Sequence, residues 1–419
     1  MGQNSLKCFL LAAMLFIGYM ASAQDIRRIS GKIEDAYTGY TLPYASVSLK
    51  NSSYSNVTNS EGEFSLNIPQ ENLKDSILVS FLGYRNATVA VSEFLGKKMK
   101  RVKLVPTAID IRSITVRTDD AADLFRSAFS NKSVKANYPT KGAGMSGFYR
   151  EIIKKGSKYL SLSEAVVDIL KQSYTSTFGD NISIYKGRGN VNRNASDTLF
   201  LQLQGGPVTS LQMDIVKNPF IDVDIISATD FYDFKLGPII FMDDMNIYTI
   251  DFNQNKAVTG MMYRGRIFVE SQTLAVVRIE FERNVEGRED AWKSFVRKKP
   301  DDVQLGVDWA KYQVNYKQYG EKWYMDYARV DLRFSAKYKG KLLKNKYDIV
   351  TELAVTDIAN PDALKIPPVE RFRMKDILQK KVADFQDERF WENYNIIEPD
   401  EKIENIINRI IRQLKKERE

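Results

Sequence analysis

The stretch "NVTNSEGEFSLNIP", Asn56 to Pro69, has a polar head and an alternating tail. On an extended chain Phe64, Leu66 and Ile68 point one way and Glu63, Ser65 and Asn67 the other, the period-two pattern of a half-buried β-strand. The head, "NSEG", is either a cation loop or the turn of a hairpin. A calcium loop draws on several convergent carboxylates, and only Glu61 and Glu63 are near. Gly62 suits a position that needs positive φ, and the Asn59 side chain can bond the backbone two residues on. The reading is a structural turn, with no metal.

Working outward, the same rhythm recurs on both sides. "ISGKIED" alternates through Ile29 and Ile33, "YASVSLKNS" through Ala45, Val47 and Leu49, and "DSILVSFLGYRN" through Ile77, Val79 and Phe81. "ATVAVSEF" and "MKRVKLVP" follow, and "YTGYTLP", "NSSYSN" and "PQENLKD" separate the runs. Short strands with such turns predict a β-sandwich of roughly eighty residues.

The marks "SGKIED", "LPYASVSL", "TNSEGEFSL" and "FLGY", in this order and spacing over residues 28–106, resemble the carboxypeptidase regulatory-like domain. The resemblance implies a prealbumin-like sandwich of seven strands, a non-catalytic module for adhesion or docking. It also implies an exported protein of the kind found in Bacteroidetes-type bacteria.

Residues 107–118 read as a linker, with an added strand at "SITV" an option. "DDAADLFRSAFSNKSVKANYPTK" then reads as a helix capped by Asp119 or Asp120 and ended by Pro139, with Leu124, Phe125 and Phe129 on one face. From there to residue 398 the chain is mostly strand. A hairpin is predicted around "KKGSK", a meander over "NIYTIDFNQNKAVTGMMYRGRIFVESQTLAVVRIEFERN", and three long strands from Asp308 with turns at "QYGEK" and "YKGK". Long antiparallel strands in series predict one large, curved sheet. "AADLFRSAFSNKSVKANYP", "GFYREIIKKGSKYLSLSEAVVDIL" and "RFWENYNIIEP" resemble an uncharacterised exported family. "IYTIDF" with "GRIFVESQTLAVVRIEF" resembles the half-barrel sheet of periplasmic lipoprotein carriers. Residues 399–419 predict an amphipathic helix, with Ile403, Ile406, Ile407, Ile410, Ile411 and Leu414 in one stripe. That stripe is expected to pack on the β-domain, with a membrane surface or a partner groove as the alternatives.

The first residues, "MGQNSLKCFLLAAMLFIGYMASAQ", order a positive Lys7, a short apolar run and a small-x-small "ASA" before Gln24. This predicts a signal peptide over residues 1–23, an exported chain, and a periplasmic or outer-membrane-associated location. Cys8 is the chain's one cysteine, and there is no histidine. Once cleaved, the protein has no disulfide, no thiol or imidazole nucleophile and no zinc site of the usual ligands. The formal charge of +8 is scattered over the chain, and no nucleic-acid partner is expected.

Motifs that could carry chemistry fare poorly in context. "GAGMSG", Gly142 to Gly147, follows a helix and precedes a strand, the reverse of a dinucleotide loop. "SIYK", Ser183 to Lys186, lies among strand-like residues rather than at a helix start. Glu151 and Glu164 fall on neighbouring strands of the hairpin, where two carboxylates could work as an acid–base pair or form ordinary ion pairs with Arg150 and nearby lysines. Asp243 and Asp244 in "FMDDMN" suit a loop, and Asp308 beside Trp309 is ambiguous. "LFLQLQGGPVTSLQMDIVKNPF", Leu199 to Phe220, reads either as a lid over a cavity or as a connection. The sequence therefore assigns no catalytic, cofactor-binding or metal residue and no cofactor. It predicts a mainly β, non-enzymatic envelope protein that docks through its sandwich to an envelope protein or an apolar ligand. The alternatives are a periplasmic carrier of an apolar ligand or lipoprotein, and a carboxylate-dependent glycan-active enzyme.

Overall fold

The computed structural model describes residues 26–107, 118–156, 158–191, 205–218, 227–296, 301–359, 364–384, 390–391, 393–400, 403–408 and 412. The predicted signal peptide, most of the predicted linker with "SITV", and the predicted helix stripe beyond 408 lie outside these residues.

Seven N-terminal strands form two sheets. β1 (Ile26–Asp35) lies between β4 (Glu63–Pro69) and β7 (Lys100–Leu104). β2 (Ser46–Leu49), β3 (Ser55–Val57), β5 (Ser76–Ser80) and β6 (Ala87–Ala90) make the second sheet, in the order β3-β2-β5-β6. Phe64, Leu66 and Ile68 are buried between them with Ile33, Val47 and Val79, so the alternation was read on the correct face. The turn before β4 is as expected. Asn59 Oδ1 accepts the N–H groups of Glu61 and Glu63, both at 2.9 Å, and Gly62 has φ +74°. A Cβ at Gly62 would meet the Ile33 carbonyl oxygen at 2.8 Å. The turn is not a hairpin, however, because β3 and β4 belong to different sheets and the chain crosses between them. Nor is β4 half-buried. Ser65 and Asn67 are covered as well, because residues 395–396 run across them and Asn395 Oδ1 accepts the Asn67 N–H at 2.8 Å.

The predicted single helix after the linker is two, α1 (Thr118–Ala128) and α2 (Asn131–Asn137), since Ser130 stops the first and caps the second. The rest builds one twelve-stranded open sheet. β8 (Ala143–Lys155) and β9 (Lys158–Lys171) form the predicted hairpin, followed by β10 (Asn181–Val191). The short helices α3 (Gly206–Gln212) and α4 (Ala228–Phe231) precede β11 (Tyr232–Leu236) and β12 (Ile240–Met242). β13 (Met245–Gln254), β14 (Tyr263–Glu270) and β15 (Val276–Arg283) are the meander. β16 (Val303–Tyr319), β17 (Lys322–Tyr338) and β18 (Asn345–Ala359) are the three long strands, and β19 (Ala383–Asp384) closes the list. The order β11-β13-β14-β15-β16-β17-β18-β8-β9-β10-β19 brings β18 beside β8, and β12 pairs with β13. The pairing is antiparallel apart from β10 with β19.

The sheet's two faces have different tasks. One face, called outer here, carries the sandwich. Tyr44 stacks on Tyr327 with ring centroids 5.5 Å apart, Arg329 lies over the Tyr44 ring, and Val57 packs with Phe148, Val166 and Trp391. The C-terminal helix, α5 (403–408), covers the neighbouring part. Its Ile403, Ile406 and Ile407 are buried against Ile152 and Leu162, and Asp400 Oδ1 accepts the Ile403 N–H at 2.8 Å. The helix therefore packs in cis over its described length. The inner face bears the main apolar core.

Candidate functional site

On the inner face six neighbouring strands, β14 to β18 and β8, supply the floor of a cavity of about 630 Å³. Tyr263, Phe281, Tyr312, Leu332, Thr351 and Tyr149 come one from each strand in that order. Phe281 and Tyr312 stack at 4.8 Å, and Tyr263 meets both edge-on at 5.6 and 6.2 Å. The roof is α3 with the turn after it, and Phe295 and Val296 after the short 3-10 turn Ala291–Ser294. Gln212, Lys293 and Ser294 are exposed and mark the mouth, whereas Tyr149, Ile215, Val296, Val330 and Leu332 are buried. Such a volume with aromatic and aliphatic walls is that of a small-molecule site, typically about 300–1,000 Å³. Of the two readings of Leu199 to Phe220, the described part from 205 to 218 is a cover over this cavity.

A buried ionic cluster holds the cover. Lys171 Nζ donates to Asp214 Oδ2 and Asp180 Oδ2, both at 2.7 Å, and the Tyr316 hydroxyl donates to Asp214 Oδ1 at 2.8 Å. Asp214 also accepts the N–H groups of Val216 and Lys217. Burial alone would lower the Lys171 ammonium. Asp214 and Asp180 outweigh that and hold it above its ordinary value. The loop after α3 is thus tied to β9 and β16 through side chains that are nearly all inaccessible to water.

Behind the floor, Tyr149 leads to a second kind of group. Its hydroxyl contacts Glu151 Oε2 at 3.4 Å. Glu151 is flanked across the strands by Thr351 and Ser163, and burial without a cation pushes its carboxyl up to about 7. The Ser163 hydroxyl is buried with no hydrogen-bond partner among the described residues. Glu151 forms no ion pair there.

Glu164 has the opposite surroundings. Arg150 Nε and Arg188 Nε each donate to it at 2.9 Å, and the Trp391 indole N–H approaches at 3.4 Å. Burial pushes Glu164 up, but the two guanidiniums outweigh it and hold the carboxylate below its usual range. Glu151 and Glu164 therefore do not form a pair. A bulge between Ile153 and Lys154 shifts the hairpin register by one residue, so that Arg150 faces Glu164 and Glu151 faces Ser163. That shift turns the two carboxylates to opposite faces of the sheet. Ordinary ion pairing describes Glu164 and not Glu151.

The other motif residues are structural. Gly144 and Gly147 lie within β8, and Ser183 to Lys186 within β10. Asp243 has φ +54° in the turn between β12 and β13, and Asp308 accepts the Ser335 hydroxyl. Among the described residues no group of three or more Asp, Glu, Cys or His could hold a metal ion. A smaller cavity of about 330 Å³ lies between the sandwich and β13 to β17. In it burial lowers Lys317 and raises Asp326.

The sequence reading missed the cavity wall. The apolar alternation on each strand was visible, but no local signal shows that six residues scattered from 149 to 351 enclose a hollow.

Residues 29–116 match the sequence profile of the CarboxypepD_reg-like domain. No curated protein matches the chain. Among solved structures, a DUF1329 family protein from Desulfovibrio piger is similar at 13% identity and a TM-score of 0.24, over 59% of this chain and 95% of its own. A LolA superfamily protein from Nitrosomonas europaea is similar at 11% identity and a TM-score of 0.20, over 58% and 94%. At such scores neither likeness bears on function. Among the described residues no helix is long and apolar enough to cross a membrane.

Proposed function

We propose that this is a non-enzymatic, exported binding protein that holds an apolar ligand on the inner face of its large sheet. The hollow itself carries the reading. A groove of about 630 Å³, partly open to solvent, remains between the sheet face and α3, a volume in the range of small-molecule sites. The signal-like first 23 residues and the lack of histidine support export and an absence of imidazole chemistry. The sandwich as a docking module is a lesser reading, since one side of it already packs on its own chain through Tyr44 and Val57. A two-carboxylate enzyme built on Glu151 and Glu164 finds no support in residues on opposite faces.

Filling the cavity tests this. Leu332→Trp should abolish uptake of an apolar fluorescent dye while the protein still melts cooperatively, with a loss of about 1–3 kcal/mol from overpacking. Undiminished dye uptake by the filled variant would sink the proposal.

A further inference from the structure

The cavity has a polarity of its own. Arg283 and Lys293 line it, and among the described residues no carboxylate does. Lys293 is exposed at the mouth, 4.0 Å from Asp290. Arg283 is half-buried at the end of β15. Its guanidinium carbon lies 5.2 Å from the Tyr263 ring centroid and 5.9 Å from that of Phe295. Its Nε is buried and has no hydrogen-bond partner among the described residues. The Arg278 Nε is buried without a partner among the described residues as well, but the other arginines of β14 to β18 differ from Arg283 in having a carboxylate. Arg264, Arg266, Arg278, Arg329 and Arg333 each pair with a carboxylate. A buried guanidinium donor without an acceptor is unfavourable, and the two aromatic faces supply only part of what an anion would.

The dimensions limit what can fill the rest. The floor runs from Tyr263 on β14 to Tyr149 on β8, five inter-strand steps of about 4.8 Å, or about 24 Å along the curve. A hollow that touches all six strands is long for its volume, which suits an extended chain better than a compact ligand. Away from Arg283 the wall is Leu332, Val330, Ile215 and Met213, with Tyr149 at the far end. The far end offers no cation among the described lining residues, so the head is drawn to the Arg283 end.

We propose that the ligand is an amphiphile with a single long acyl or alkyl chain and an anionic head, and that Arg283 receives the head while the chain extends toward Tyr149. This rests on the cavity being a ligand site. A carboxylate and a phosphate head share the required chemistry.

Palmitate, hexadecyl phosphate and hexadecanol can be titrated into the purified protein and into Arg283→Gln and Arg283→Lys variants. The expected result is that at least one anionic probe binds the unaltered protein about tenfold or more tighter than hexadecanol. Whichever anion binds tighter identifies the head as carboxylate or phosphate. Arg283→Gln should erase the preference while hexadecanol still binds measurably, and a cooperative thermal melt shows that the variant is folded. Arg283→Lys should restore part of it. Equal binding of all three probes by the unaltered protein overturns the anionic head and leaves the apolar cavity standing. A preference that survives Arg283→Gln overturns the role of Arg283. Failure of every probe to bind overturns the ligand site together with this inference.

Discussion

The outer face of the large sheet and the part of the inner face around Glu151 bury polar groups in opposite ways, while the matched Lys171, Asp214 and Asp180 cluster beside the hollow secures its cover. On the outer face Arg150, Glu164, Arg188, Glu352 and Arg329 form one connected set, in which each charge has an opposite partner. The Arg150 guanidinium also donates to the Ile397 carbonyl at 2.8 Å, and the Tyr327 hydroxyl to Glu352 at 2.7 Å. The sandwich, the segment around Trp391 and α5 lie over this set. Around Glu151 on the inner face the carboxyl has only the Tyr149 hydroxyl beside it and the Ser163 hydroxyl has no partner among the described residues, and a hollow remains nearby. A charged face can serve as an internal joint only if every charge is matched, because an unmatched buried charge is strongly destabilising. An apolar face tolerates a gap more cheaply, which is what leaves room for a ligand. The contrast assigns the outer face to architecture and the inner face to binding.

Breaking the outer set should have the largest effect. Arg150→Met leaves Glu164 with Arg188 alone and the Ile397 carbonyl without its donor. The expected loss is roughly 3–5 kcal/mol, read from the midpoint of urea unfolding at an unchanged slope. Adding Glu164→Gln should lower stability further, because it removes the carboxylate with which the buried Arg188 pairs. A loss below about 1 kcal/mol for Arg150→Met would mean that Arg188 and Arg329 alone satisfy the two buried carboxylates and that the outer face does not depend on the connected set, and the contrast would fall.

The inner carboxyl should appear in the pH dependence of stability. Glu151 has an ordinary value of 4.5 and is raised to about 7 in the folded protein. Below 4.5 both states hold the proton and the group has no effect. Between 4.5 and about 7 the unfolded chain releases its proton while the folded chain keeps it, so stability falls as pH rises. The full fall is roughly 3 kcal/mol at about 1.4 kcal/mol per pH unit, and it is complete above the raised value. Glu151→Gln should be missing this descent and be the more stable form at pH 8. Parallel stability profiles for the two proteins from pH 4 to 8 would show that Glu151 has a partner after all.

Much of this architecture was legible in the sequence, and the limits have identifiable causes. The sandwich strands were readable because alternation and turn chemistry are local, as in Asn59 and Gly62. The β8–β9 hairpin and the three long strands β16 to β18 were readable for the same reason. The face of Glu164 was not, because one bulge at Ile153 and Lys154 reverses the parity of every residue beyond it on β9. Further shifts at Val307, Asn315 and Val355 do the same for β16 to β18. The cover on β4 was hidden because it comes from Asn395 and Ile396, far along the chain. The cavity was hidden because it depends on β18 pairing with β8, which puts Thr351 opposite Glu151.

The smallest effect offers the finest test of the contrast. Ser163 lies in β9 opposite Glu151 and is fully buried, with its hydroxyl unpaired among the described residues. Removing a buried hydroxyl that has no partner relieves a desolvation cost and opens only a small gap, so Ser163→Ala should change stability by less than about 1 kcal/mol, toward a gain. An outer-face serine provides the control. Ser55 is also buried, and its hydroxyl donates to the Val355 carbonyl at 3.1 Å, joining the sandwich to β18. Ser55→Ala gives up that bond and leaves the carbonyl short of a donor, with an expected loss of about 1 kcal/mol or more. Chemical unfolding of the two variants side by side compares the same atom deletion on opposite faces. If Ser163→Ala proves as harmful as Ser55→Ala, the Ser163 hydroxyl is bonded to the Glu151 carboxyl, and the inner face pairs its polar groups as the outer face does.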